Sequence, residues 1–238
     1  MTRPLYVVFT GTTVPNVLAR HGDFDAHFRA AIGDVWQGAW ASVDARDTTL
    51  PLPAPGTFAG VLVTGSASSV TERAPWMLRV EAWLREVVAA EAPVLGVCFG
   101  HQILGQALGG EVRRNVKGRR IGSTRVRRVD EDPLLDGLPA EFHVNLSHQD
   151  HVAVAPKDVR KLVTADHDDL HAFAYGPKAR GVQFHPEFHD DIVKGYISAR
   201  RNILRDEGLD PDALDAQVVD TPQSRQVLKN FVKHFTRL

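Results

Sequence analysis

Cysteine is nearly absent from this 238-residue sequence: the single one excludes an internal disulfide and any multi-cysteine metal site. An excess of one charge is also lacking. The 28 Lys and Arg residues face 29 Asp and Glu residues, and the net charge of −1 excludes a strongly basic polymer binder, though not a local basic patch. No long hydrophobic run occurs, and the N-terminal one, Leu5 to Phe9, is too short for a membrane span or a signal-peptide core. These absences lead us to expect a cytoplasmic chain that does not engage a membrane. There is no Gly-x-x-x-x-Gly-Lys-Ser/Thr phosphate loop, no internal repeat, no low-complexity tract and no linker long enough to divide two domains. What is present, 43% hydrophobic and 24% charged residues, is the composition of an ordinary globular chain long enough to bury a core.

The apolar pattern suggests an α/β fold. Residues 5–9, 59–65 and 92–97 are continuously apolar, as in strands of a parallel sheet covered on both faces. Between the last two, Trp76, Met77, Val80, Trp83, Leu84, Val87 and Val88 recur at helical spacing over 76–91. Strand, helix and strand in this order form a βαβ unit, which favours a parallel sheet. A second helical run covers 101–110, and short extended segments follow at 121–129, 141–146, 161–166, 170–176 and 180–185. The last fifty residues read as helical, with a break over 207–214 and a capped restart at 220–224. One α/β domain over 1–238, with 189–238 as a helical C-terminal extension, is the simplest organisation.

The chemistry concentrates in two segments. Gly96-Val97-Cys98-Phe99-Gly100 ends one apolar run and opens a helix, and glycines stand two residues either side of the cysteine. This has the form of a nucleophile elbow, whose sharp turn needs small neighbours and lifts the side chain out of the sheet. The helix N-terminus favours the thiolate, and the Phe99 backbone N–H is free to stabilise an oxyanion. A buried structural cysteine in a tight βα turn has the same local pattern. The second segment, Gly181-Val182-Gln183-Phe184-His185-Pro186-Glu187-Phe188, supplies a base in His185 and a carboxylate in Glu187 to orient it. It is not the His-Glu-x-x-His zinc motif. His167 and His171 are four apart, but Asp168 and Asp169 between them read as a turn, which argues against one helical ligand face. No metal and no cofactor are expected.

With these residues in place, GVCFGHQ followed distantly by FHPE resembles the class I glutamine amidotransferases, over most of the chain from Val61 to Glu187. The resemblance implies a flavodoxin-like, three-layer open sheet, mostly parallel, with helices on both faces. It implies that Cys98 attacks the glutamine amide to form a thioester, that His185 protonates the leaving ammonia and then activates water, and that Glu187 orients His185. It also implies an oxyanion hole from the backbone N–H groups of Gly65 and Phe99, a glutamine-binding Gln102, and a loop, Ser147-His148-Gln149-Asp150, whose backbone holds the substrate's amino and carboxylate groups.

The small-molecule partner so implied is glutamine or another γ-glutamyl compound. The absence of a phosphate loop leaves two settings, a subunit that delivers ammonia to a separate synthetase and a free-standing hydrolase. A γ-glutamyl peptidase and a catalytically silent regulatory protein on the same fold are the alternatives. The stretch from Arg113 to Arg128 carries Arg113, Arg114, Lys117, Arg119, Arg120, Arg125, Arg127 and Arg128 with no acid. It reads either as a surface for an anionic substrate or partner, or as a solvated strand and turn. It lacks aromatic residues, so no nucleic acid is expected as a partner.

Overall fold

The computed structural model describes residues 3–236. Its first half alternates strands and helices: Leu5–Phe9 (β1), Pro15–His21 (α1), Phe24–Ile32 (α2), Trp40–Asp44 (β2), Gly60–Val63 (β3), Pro75–Ala89 (α3), Val94–Val97 (β4) and Phe99–Ala107 (α4). Strands then dominate: Glu111–Arg114 (β5), Arg120–Arg128 (β6), Glu141–His148 (β7), Asp150–Val154 (β8), Arg160–Ala165 (β9), Asp168–Tyr175 (β10) and Ala179–Val182 (β11). The chain closes with Asp190–Ala199 (α5), Arg201–Asp206 (α6), Pro211–Ala216 (α7) and Pro222–Phe235 (α8). Prolines open α1, α3, α7 and α8, where the missing N–H costs nothing and the fixed φ suits the first turn.

The main sheet has the order β2-β1-β3-β4-β11-β10-β9-β6-β7. Strands β2, β1, β3, β4 and β11 run parallel, and β10, β9, β6 and β7 extend the sheet in antiparallel fashion. A separate ribbon pairs β5 with β8. Each face of the sheet carries its own core. Leu5 and Val7 of β1 pack into one core with α2, α5 and α8, while Val8 points to the other with α3 and α4. The alternation follows from the period of a strand and accounts for the continuously apolar sequence. Cys98 follows β4 directly and His185 lies three residues beyond β11, so the neighbouring parallel strands deliver both side chains to the same carboxyl end of the sheet.

Strands β2, β5 and β8 and helices α1 and α2 have no counterpart among the segments singled out in the sequence. Three local expectations change. The break read over 207–214 covers only 207–210, because the Asp210 carboxylate accepts from the Asp212 and Ala213 N–H groups and starts α7 at Pro211. The β9–β10 turn is made by Asp166 and His167, while Asp168 and Asp169 already belong to β10. At the start of α8, Thr221 occupies the capping position without a capping hydrogen bond from its side chain; its hydroxyl instead accepts from Asn145 Nδ2 at 3.0 Å.

Candidate active site

The elbow is built by close backbone approach. A Cβ added at Gly96 would lie 2.3 Å from the Gly100 carbonyl oxygen, and one at Gly100 would lie 2.3 Å from the Val63 carbonyl oxygen. No side chain fits at either position, so α4 can start directly behind β4 and press against β3. Cys98 lies at φ 54° and ψ −104°, a left-handed conformation rare for a residue with a side chain, and it occupies the capping position of α4. Its sulfur is 3.9 Å from the Ser147 carbonyl oxygen.

His185 is held on every side. Its backbone N–H donates to the Asn145 carbonyl at 2.9 Å, and its ring stacks on Phe188 at 4.0 Å. Its Nδ1 is 2.7 Å from Glu187 Oε1, and both side chains are buried. β11 ends at Val182, and the turn at Pro186 and Glu187 brings the Glu187 carboxylate back to the ring. Burial alone would disfavour the imidazolium, but the facing Glu187 carboxylate and the Cys98 sulfur outweigh it and push the His185 pKa up to about 10. Gly65 adjoins the same ring: a Cβ there would meet His185 Cε1 at 2.9 Å.

Backbone groups converge beside the thiol. The Thr64 carbonyl accepts from the Thr10 hydroxyl at 2.8 Å and from the Gly100 N–H at 3.1 Å, which fixes the peptide plane whose opposite edge carries the Gly65 N–H. Phe99 opens α4, where a backbone N–H has no intrahelical partner.

A polar cavity of about 130 Å³ opens next to Cys98 and Gln102, between Ser66 to Ser69 on one side and Ser147 to Asp150 on the other. Gln102 donates from Nε2 to the Asp150 carbonyl at 2.7 Å and to Gln183 Oε1 at 3.1 Å, so its amide supports the loop from below. The Asp150 carboxylate accepts from the Ser69 hydroxyl. Gln149 donates to Glu207 Oε1 at 3.2 Å. The His148 ring is buried and packs against His167 and His171, and burial is the main cause that lowers its pKa to about 3.

Two arginines were not singled out as cavity residues. Arg119 lines the cavity and pairs with Glu207 at 2.8 Å, and Arg200 lines it from behind with its guanidinium 4.7 Å from the Tyr196 ring centroid. Arg119 lay inside the basic stretch; Arg200 gave no signal, because its distance from Cys98 closes only through the packing of α5. Three of the other seven basic residues of the stretch are paired with acids within the chain. Arg113 pairs with Glu111, Arg125 with Glu141 and Arg128 with Glu131, while Lys117 donates to the Asp166 carbonyl. This favours the reading as a solvated strand surface.

A family model described as class-I glutamine amidotransferase matches residues 40–197. Among curated proteins, the chain is similar to one subunit of the glutamine-hydrolysing GMP synthase of Saccharolobus solfataricus, at 35% identity over 150 residues covering 60% of this chain and 78% of that one. It is also similar to the glutamine-hydrolysing GMP synthase of Leifsonia xyli subsp. xyli, at 42% identity over 153 residues. That match covers 61% of this chain and only 28% of the relative, and the match to the GMP synthase of Aeropyrum pernix covers 26% of its length. The chain therefore spans about a quarter of these longer relatives. A solved glutamine amidotransferase from Methylobacillus flagellatus superposes with a TM-score of 0.78 at 22% identity, covering 100% of this chain and 97% of that one. One from Thermotoga maritima superposes at 0.76 and 21% identity, covering 99% of both chains. The likeness establishes a flavodoxin-like fold with helices on both sheet faces and a helical C-terminal region. Among the described residues no helix is long and apolar enough to cross a membrane.

Proposed function

The chain belongs to the class I glutamine amidotransferase family, and from that membership we propose that it hydrolyses the γ-amide of glutamine through a covalent intermediate on Cys98. The observation that carries the reading is the placement of Cys98 and His185 beyond the ends of the neighbouring parallel strands β4 and β11, with His185 Nδ1 2.7 Å from Glu187 Oε1. The Cys98 sulfur attacks the amide carbon, and the resulting oxyanion is held by the Gly65 and Phe99 N–H groups. Protonated His185 gives its proton to the departing ammonia, leaving a γ-glutamyl thioester. Neutral His185 then takes a proton from water, whose oxygen displaces the sulfur and completes glutamate. Glu187 supports the imidazolium and fixes its tautomer.

Gln102 and the loop from Ser147 to Asp150 form the substrate pocket in this reading, with the backbone around His148, Gln149 and Asp150 holding the substrate's charged end. The similarity to separate synthase subunits supports a further proposal: a distinct synthetase subunit consumes the ammonia.

Ammonia release from glutamine, measured beside release of amine from γ-glutamyl dipeptides, tests the reading. Wild-type protein is expected to release ammonia, His185→Ala to retain only a trace of the rate, and Cys98→Ala to be inactive. Full activity in Cys98→Ala would refute the mechanism. Faster turnover of a dipeptide than of glutamine would instead make the chain a γ-glutamyl peptidase.

A further inference from the structure

Three imidazoles meet outside the Cys98, His185 and Glu187 set. His148 closes β7, His167 sits in the β9–β10 turn and His171 lies on β10; one ring nitrogen of each falls within 4.8 Å of those of the other two. The ring centroids are 5.6 Å apart for His148 and His167, 6.1 Å for His148 and His171, and 5.2 Å for His167 and His171. Three histidines on a tetrahedral zinc ion, with Zn–N bonds of about 2.0–2.1 Å, have nitrogens about 3.4 Å apart and ring centroids about 5.2 Å apart. Side-chain movements of about 1 Å would bring this cluster to that geometry.

The hydrogen bonding divides the ring nitrogens. His148 Nδ1 lies 3.0 Å from the Asp150 carbonyl oxygen, and His171 Nδ1 lies 3.3 Å from the Asp168 carboxylate. Nε2 of His148, His167 and His171 is buried in each case and, among the described residues, has no hydrogen-bond partner. An Nδ1–H donating to a carbonyl or carboxylate sets the tautomer that leaves a lone pair on Nε2, which is the usual support behind a metal-bound histidine. The third ring is anchored through its backbone, since the His167 carbonyl accepts from Asn115 Nδ2 at 2.8 Å. Buried lone pairs facing one another are costly. With His167 in the same tautomer as His148 and His171, a water has two protons to offer and leaves one of the three unsatisfied, whereas a divalent cation satisfies all of them.

We propose that His148, His167 and His171 form a binding site for a divalent metal ion of the zinc class. Three nitrogen donors suit zinc and its transition-metal neighbours rather than magnesium or calcium, which take oxygen ligands. The buried Asp168 carboxylate offsets the charge of the ion and orients His171. The ion would tie the β9–β10 hairpin to the end of β7. The next strand residue back from His148 is Ser147, whose carbonyl faces the Cys98 sulfur, so the role assigned is to hold that loop and not to take part in bond breaking.

The test uses untagged full-length protein, stripped with a chelator, incubated with zinc, desalted and analysed for metal. One zinc per chain and a raised melting temperature are expected for wild type, for Cys98→Ser and for the exposed-site control His143→Gln; His167→Gln and His171→Gln should lose both. Loss of zinc from Cys98→Ser would move the site to the thiol and overturn the proposal, as would negligible zinc in wild type or full zinc in both histidine variants. Should either variant fail to fold, cobalt-loaded wild type decides without substitution. Its proton NMR spectrum should show shifted, exchangeable N–H signals from coordinated imidazoles, and their absence would overturn the site.

Discussion

Glu187 determines what His185 can do. Its carboxylate is the first charge that works against burial, and with Cys98 it holds the imidazolium to about pH 10. Because this folded pKa lies above the ordinary value of 6.5, the stabilisation from the pair is fully present below pH 6.5 and is lost as pH rises through about 10. The same limit applies to chemistry, since the ammonia leaving group needs a protonated His185. For the free enzyme, kcat/KM for glutamine should therefore hold well above neutral pH and fall only as pH approaches 10, whereas hydrolysis of the thioester, where the Cys98 charge is gone, needs neutral His185. Glu187→Gln keeps the shape and removes the charge, so its alkaline limb should move to lower pH and its kcat should fall about 10²-fold. A pH–rate profile of the two proteins checks this; coincident alkaline limbs would show that Glu187 does not support the proton.

At the scale of elements, the turn between β4 and α4 depends on two glycines. At 2.3 Å from a backbone carbonyl, a new methyl cannot be accommodated by a side-chain rotation, so Gly100→Ala must push α4 away from β3 or strain the turn. A loss of about 2–3 kcal/mol is expected in urea denaturation, with loss of glutaminase activity in the protein that still folds. An unchanged midpoint would mean that the turn can relax. These glycines were legible in the sequence because the motif is contiguous, as were β1, β3, β4 and α3, each continuously apolar or strongly periodic. The same reasoning did not find β2, whose Trp40–Asp44 sequence is mixed and whose one neighbour is β1, nor α1, too short to show a period; it also passed over α2, which does carry a helical pattern in Phe24, His27, Phe28, Ala31 and Ile32. Cys98, His185 and Glu187 were legible from residue type and order. Arg200, Gln183 and the grouping of His148 with His167 and His171 were not, because each depends on which strand lies beside which. No helix aligns His167 with His171; a hairpin turn and a strand do so instead.

Across the whole molecule, the two cores treat histidine in opposite ways. His185 is buried with its charge, whereas His101 on α4 is buried without one: its ring lies 4.9 Å from Phe173, and among the described residues neither ring nitrogen has a hydrogen-bond partner. Burial pushes its pKa down to about 4. Between about pH 4 and the ordinary value of 6.5, the unfolded chain binds a proton at this site that the folded chain does not, so stability falls as pH drops through that window. The cost for one such group approaches about 3 kcal/mol, a large part of the stability of an ordinary domain. His167, lowered to about 4 chiefly by burial, acts in the same direction. Metal-free protein should therefore unfold at clearly lower urea concentration at pH 5 than at pH 7, with net proton uptake greater than one. His101→Leu removes the titrating group and keeps an apolar side chain against Phe173, so its stability should depend on pH by about one proton less. A wild-type midpoint that does not change between pH 7 and pH 5 would mean that the folded protein takes up these protons at no cost, which the packing of α4 against β10 does not permit.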